Sequence, residues 1–331
     1  VELEKLIESQ YITRSIESRA DDLIRQSNSV TELNVVAGKL SNLSLKLYSI
    51  ILKSGYVKTD KEKSKILDYF HHNLPNFHIQ DLGFREKLWL YNSYLWLSFL
   101  IQDFSSCYKY SKKWVELFHD FPKMISLNPV WYLKGNQYLL ESLFFIQDHK
   151  RFEAVLEELE ANIQSKSFPK DDNIEGLVFL YLNTDRLNLC FMKGLFNEGL
   201  PLVDDILKGI KRFKNRIDEH HIMVFYYKIA SLYFCLGNYK ECIKFLNYII
   251  NNKSLSMRED LMCFSRILSL FAHYDSGMDY HMEIQLKSTY KFLIKMEDLY
   301  EVQKEFIKFL RGLGDIYPHE VKGEFIKLHK K

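Results

Sequence analysis

The sequence predicts an all-α fold, an α-α superhelix or solenoid of antiparallel helix pairs, and three observations carry that prediction. Only 13 Gly and 6 Pro occur in 331 residues, roughly half their usual share, too few turn formers for a many-stranded protein. Apolar residues recur at i, i+3, i+4 and i+7 along most of the chain, with no alternating run that competes as a strand. Capping boxes, which satisfy the orphan amides of a helix start, recur at Ser29/Glu32, Thr59/Glu62, Asn238/Glu241, Ser256/Glu259 and Asp298/Glu301.

Taken in order, the pattern gives helices near residues 2–27 and 31–54, the second on the stripe Leu33, Val36, Ala37, Leu40, Leu43, Leu47, Ile50 and Ile51. Helices follow at 60–73, 84–102, 104–119, 130–147, 150–165 and 173–193. The series continues at 197–214, 219–236, 239–251, 257–275, 280–296, 299–311 and 319–329. Asn128-Pro129 reads as an N-cap followed by a first-turn proline, and Tyr317-Pro318 opens the last helix in the same way.

Composition narrows the function classes. With 47% hydrophobic residues the chain can bury enough apolar surface to fold. A net charge of +2 supplies no global field for nucleic acid, so none is expected as a partner. Cys107, Cys190, Cys235, Cys242 and Cys263 contain no CxxC pair and read as buried thiols in a reducing, cytoplasmic compartment, without disulfide or zinc. The apolar stretch Leu88 to Ile101 is too short to span a bilayer, and no membrane partner is expected. Val1-Glu2-Leu3-Glu4-Lys5 is acidic and amphipathic, unlike a signal peptide, and reads as the start of a piece cut from a longer chain.

Repetition is clearest from Tyr226 to Ile250: Tyr226, Ile229, Ala230 and Tyr233, then Gly237-Asn238-Tyr239, then Cys242, Ile243, Leu246, Ile249 and Ile250. This unit resembles the tetratricopeptide repeat, with Ala230 and Cys242 in small-residue places, Tyr239 in the aromatic place and Ser254 where a terminal proline is common. Weaker copies place the turn aromatic at Phe104, Phe152 and Phe196, steps of 48, 44 and 43 residues up to Tyr239, and Gly277 follows Gly237 by 40. These are longer than the family period of about 34. The run Met257-Arg258-Glu259-Asp260-Leu261 with Phe264, Arg266, Ile267 and Leu268, then Tyr290, Phe292 and Leu293, resembles a family of uncharacterised bacterial proteins built from such repeats. The resemblance implies N-terminal helices and a first helix pair over 1–82, then continuous repeats over 83–331 with the best unit at 223–252.

No residue set announces catalysis. His220-His221 follows Asp218-Glu219, but adjacent helical residues point about 100° apart, so N-capping by Asp218 is the simpler account. His71-His72 suits the last turn of a helix, and the run Lys208, Lys211, Arg212, Lys214 and Arg216 suits a solvated helix end. An enzymatic reading would rest on His273, Asp279 and His281 converging on a metal, where turn and cap chemistry is the plainer alternative. Phosphate-loop, nucleophile-elbow and HExxH motifs are absent, so no cofactor is expected.

In tetratricopeptide arrays the first helices of successive units line a concave surface. The matching places here give a candidate groove of Asn92, Trp96, Phe99, Thr184, Asp185, Asn188, Tyr227, Lys228, Ser231 and Arg266. That set departs from the carboxylate-clamp pattern of the family. Asp185, Lys228 and Arg266 interrupt apolar helices and should pair between repeats or face a wet groove. The expected function is a non-enzymatic protein-protein interaction scaffold that binds a peptide or partner helix. The alternative is a sensory or regulatory module whose small peptide or effector controls a domain outside this chain.

Overall fold

A computed structural model describes residues 17–57, 59–252, 259–277, 284–289, 291–292 and 305. Among the described residues all regular structure is helical: α1 (Glu17–Ser54), α2 (Asp60–Asn73), a 3-10 turn (Ile79–Asp81), α3 (Phe84–Leu100), α4 (Phe104–Asp120), α5 (Lys123–Leu127) and α6 (Pro129–Phe145). After these come α7 (His149–Gln164), α8 (Asp172–Lys193), α9 (Phe196–Arg212), α10 (Glu219–Cys235), α11 (Tyr239–Ile250) and α12 (Glu259–Asp275). Residues 284–289 and 291–292, inside the expected helix 280–296, are helical too. The expected helices 299–311 and 319–329, Tyr317-Pro318 and the capping box Asp298/Glu301 lie outside the described residues, as does Ser256.

Two expectations are corrected. The Ser29/Glu32 box starts no helix, because α1 runs unbroken through it. No proline or glycine interrupts Ser27 to Thr31, and the Thr31 hydroxyl donates back to the Ser27 carbonyl at 2.9 Å, holding the polar run inside the helix. The turn aromatic at Phe152 is out of register. Phe104, Phe196 and Tyr239 each open a helix, and the residue that opens the matching helix α7 is His149. Phe152 falls instead with Cys107, Gly199 and Cys242, all buried on the inner face of the second helix of a pair.

The turn joining the paired helices is one structure used repeatedly. Residues 102, 147, 194, 237 and 277 all have positive φ, between 57° and 72°, at steps of 45, 47, 43 and 40 residues. In each of the first four the turn closes with two backbone bonds, as Asp103 N–H to Ser98 O (2.9 Å) and Gln102 N–H to Phe99 O (3.1 Å) illustrate, which is the Schellman arrangement. The next residue often caps the second helix: Asp103, Asp148 and Asn238 accept from the amides of Ser106, Arg151 and Glu241. Hydrogen bonds from the Ser106 hydroxyl and amide hold the Asp103 carboxyl below its usual value.

The chain divides into two compact units, residues 1–181 and 182–331, and the division falls inside α8. Within the first unit, neighbouring helices run antiparallel and alternate helices run parallel. Phe104 stacks on Phe145 at 4.6 Å while Phe118 meets Tyr132 at 5.4 Å, so the start of α4 lies at the end of α6. Trp89 meets Trp131 (4.9 Å) and Trp96 meets Tyr138 (5.4 Å), so α3 and α6 run parallel at a step of 42 residues. Helices α1 and α3 are parallel as well, through Ser44 to Asn92 and Tyr48 to Trp96. The second unit follows the same rule: Tyr226 meets Tyr248 and Phe234 meets Tyr239, so α10 and α11 are antiparallel.

Close approach of the axes has a visible cause in each unit. A Cβ on Gly135 would stand 2.7 Å from the Trp114 ring, and one on Gly199 would stand 2.9 Å from Leu232. Ala230 and Cys242 are fully buried. The residues seven before the positive-φ position elsewhere are Leu95, Leu140, Leu187 and Leu270, also buried, so the small residue belongs to the Ala230 unit alone.

Candidate functional site

In the second unit the periodicity brings three candidate residues together. Asp185 and Asn188 are one turn apart on α8, and the Asn188 side-chain amide lies 3.4 Å from the Asp185 carboxylate. From α10 the Lys228 ammonium donates to the Asn188 carbonyl at 2.6 Å. Asp185 is fully buried and Asn188 is 6% exposed, while Lys228 is half-buried. The result is a polar seam between two parallel helices, closed at its acidic end and reachable from solvent at its basic end. A buried carboxylate without compensation would cost several kcal/mol, about the scale that fixes helix register.

The neighbours of the seam are half-buried. Thr184 lies one turn before Asn188, and Ser231 lies one turn after Lys228 with its hydroxyl donating to the Tyr227 carbonyl at 2.9 Å. Burial raises the Tyr227 phenol above its usual value, which keeps it neutral. Arg266 is engaged elsewhere, donating to the Ser288 hydroxyl at 2.9 Å with its guanidinium 4.9 Å from the centre of the Phe292 ring.

In the first unit the candidates form an aromatic pile instead. Asn92 is buried and accepts from the Ser44 hydroxyl at 2.6 Å. Phe99 is buried as well. Trp96 is half-buried between Tyr48 (4.6 Å) and Tyr138 (5.4 Å). Asn92 and Phe99 therefore sit in the joints from α3 to its neighbours, because every face of α3 meets another helix. All four tryptophans join one chain of ring contacts running Trp89, Trp131, Trp114, Tyr138, Trp96. The composition recorded the rings, but only the step of 42 residues could have paired them.

The histidines make local contacts. The Asp218 carboxylate caps α10 by accepting from the His221 amide at 2.9 Å and meets its ring at 2.6 Å. Burial raises the Asp218 pKa, but those bonds outweigh it and hold the value low. His71 and His72 are exposed in the last turn of α2. His273 is buried with its Nδ1 2.7 Å from the Ser269 carbonyl of its own helix, and Asp279 and His281 lie outside the described residues. Among the described residues no three His, Cys, Asp or Glu side chains gather to hold a metal. Lys208 pairs with Asp205 at the end of α9, and the Arg212 guanidinium lies 4.8 Å from the centre of the Phe213 ring.

Burial pushes the Cys107 and Cys242 thiols up to about 12, which makes them inert at neutral pH. Cys235, expected to be buried, is exposed near the end of α10. In α1 the stretch Ile24–Lys53, whose most apolar 18 residues have a mean hydropathy of 1.3, is long and apolar enough to cross a membrane by length and composition alone. One of its faces packs on α3 through Leu40, Leu43, Ser44 and Leu47. Comparison with protein-family models, curated proteins and solved structures finds no match for this chain.

Proposed function

We propose that the chain is a non-enzymatic scaffold, a tetratricopeptide-like superhelix of helix pairs that holds a peptide or partner helix against the first helices of its pairs. One observation carries the reading: alternate helices run parallel at a nearly constant step, so equivalent residues far apart in sequence become neighbours, as Asn188 and Lys228 do at 2.6 Å. Thr184, Lys228 and Ser231 are each half-buried along α8 and α10. The seam offers a cation whose position is fixed by the Asn188 carbonyl, which suits the polar contacts of a bound chain. A reducing, cytoplasmic setting belongs to the same reading.

Peptides selected from a random display library on the intact chain, then measured by calorimetry, test it. Lys228→Ala and Thr184→Arg should each weaken a selected peptide by about tenfold while leaving the helical circular dichroism unchanged. Selected peptides that bind both variants as tightly as the parent would remove this face from the proposal.

A further inference from the structure

A polar depression lies where the end of α2 meets the middle of α1, and its making begins with Pro75. A proline disfavours helical backbone in the residue before it, and Leu74 accordingly leaves α2 in an extended conformation, φ −70° and ψ 120°. The Leu74 side chain packs against the buried clusters that hold Leu40 and Leu43 of α1. This lays the last turn of α2 beside α1, and the depression between them has a volume of about 340 Å³. Lys39 and Asn42 line it from α1 and Tyr69, His72 and Asn73 from α2, while Leu43, Leu74 and Pro75 supply its apolar side.

We infer that this depression binds an organic monocarboxylate, its charged head on the Lys39 ammonium and its carbon body against the apolar side. Three observations select that ligand. The lining holds one lysine and no acid, and the residues three or four places from Lys39, namely Val35, Val36, Asn42 and Leu43, are uncharged. Asp68, one turn before His72, lies outside the lining. The second observation is that, among the described residues, the side chains of Lys39, Asn42, Tyr69 and His72 have no hydrogen-bond or ion-pair partner, so their donors are open to a ligand. Beside them the Asn73 amide is held in place by donating to the Tyr69 carbonyl at 2.8 Å. The third is position: this is the carboxyl end of α2, where the helix dipole is negative. A phosphate dianion is disfavoured there, whereas Lys39 balances a single negative charge, and only an organic acid has a body for Leu43, Leu74 and Pro75 to cover. A free acid and the C-terminus of a peptide share this chemistry.

Fluorine NMR of para-fluorobenzoate with the intact chain should show millimolar binding, and competition then reads the other probes. Benzoate should displace it. Benzamide, with the same ring and no charge, and inorganic phosphate at equal ionic strength should not. Lys39→Met should weaken binding about tenfold and His72→Phe several-fold, with the helical circular dichroism unchanged. Lys46→Met, on the same helix but outside the depression, should leave binding as it was. The peptide alanyl-alanyl-phenylalanine separates the two sources: displacement at lower concentration than benzoate assigns the site to a chain end, and at higher concentration to a free acid. Equal competition by benzamide, stronger competition by phosphate than by benzoate, binding that survives Lys39→Met, or no binding at millimolar ligand would overturn the inference.

Discussion

The turns at Gln102 and Gln147 in the first unit and at Gly194, Gly237 and Gly277 in the second place their residues at nearly the same φ, 57° and 59° against 67°, 72° and 69°. For a residue with a Cβ that conformation costs about 1 to 2 kcal/mol, and glycine escapes the cost. The first unit accepts the cost at both places. Its helices are joined by rings, Trp89 to Trp131 and Trp96 to Tyr138, whose large contacts tolerate a strained turn. The second unit joins α8 to α10 through the hydrogen-bonded row Asp185, Asn188 and Lys228, which depends on direction and distance. Backbone geometry is thus shared while the chemistry holding it differs, and each difference can be broken separately.

The largest effect should come from the ring pile. Trp114 is fully buried against Trp131, Tyr138 and Gly135, and Trp114→Ala should cost about 4 kcal/mol in urea denaturation. The polar seam should come next. Lys228→Met leaves the buried Asn188 carbonyl without its charged donor and should cost about 2.5 kcal/mol, whereas Asp185→Leu combined with Lys228→Met should recover part of the loss if the row acts together. If the double variant is no better than the single one, the seam does not work as a unit.

Smaller effects sharpen the comparison at the helix crossings and turns. Ala230→Leu should overpack the α10–α11 crossing, where Ala230 and Cys242 are both fully buried, and lower stability by roughly 1 to 3 kcal/mol. Gly237→Gln should cost about 1 kcal/mol and Gln147→Gly should gain somewhat less, since glycine also has more chain entropy to lose. Equal and negligible shifts in melting temperature would show that the two kinds of turn are not under the same constraint.

The smallest effect is the acid titration of a cap. The folded-state pKa of Asp103 is depressed, first by the Ser106 hydroxyl. Its stabilisation is therefore fully present above the unfolded value of about 3.9 and is lost as pH falls through the lower folded value. The stability difference between parent and Asp103→Ala should be constant from pH 5 to 8 and shrink toward pH 2.

Much of this was legible along the chain. Thr59/Glu62 and Asn238/Glu241 cap helices as read, because a capping box is satisfied within four residues. The break expected at Ser29 failed because a polar residue inside a helix and one at its start look alike until the neighbouring backbone is known. Ile-Gln-Asp occurs three times, at 79–81, 101–103 and 146–148. The last two form the positive-φ turn between paired helices and the first forms a 3-10 turn. An identical tripeptide takes its shape from what precedes it: a long helix that must stop at Leu100 and Phe145, or an irregular link at His78.

The same division holds for the candidate groove. The sequence by itself determined that Asp185 and Lys228 interrupt apolar helices and so need partners, since desolvating a charge is costly in any fold. It also determined the approximate ends of most helices among the described residues, since periodicity and caps are local, but not the continuity of α1 through Ser29 or the short α5. Only tertiary structure decided that Asn188 stands between those two charges, that Arg266 turns to Ser288 and Phe292 instead, and that Asn92 and Phe99 are buried in joints. Those outcomes depend on the step between parallel helices, 40 residues from Asn188 to Lys228 and 42 from Trp96 to Tyr138. That step is set by loop lengths and by the side chains filling each crossing, and no local pattern encodes their sum.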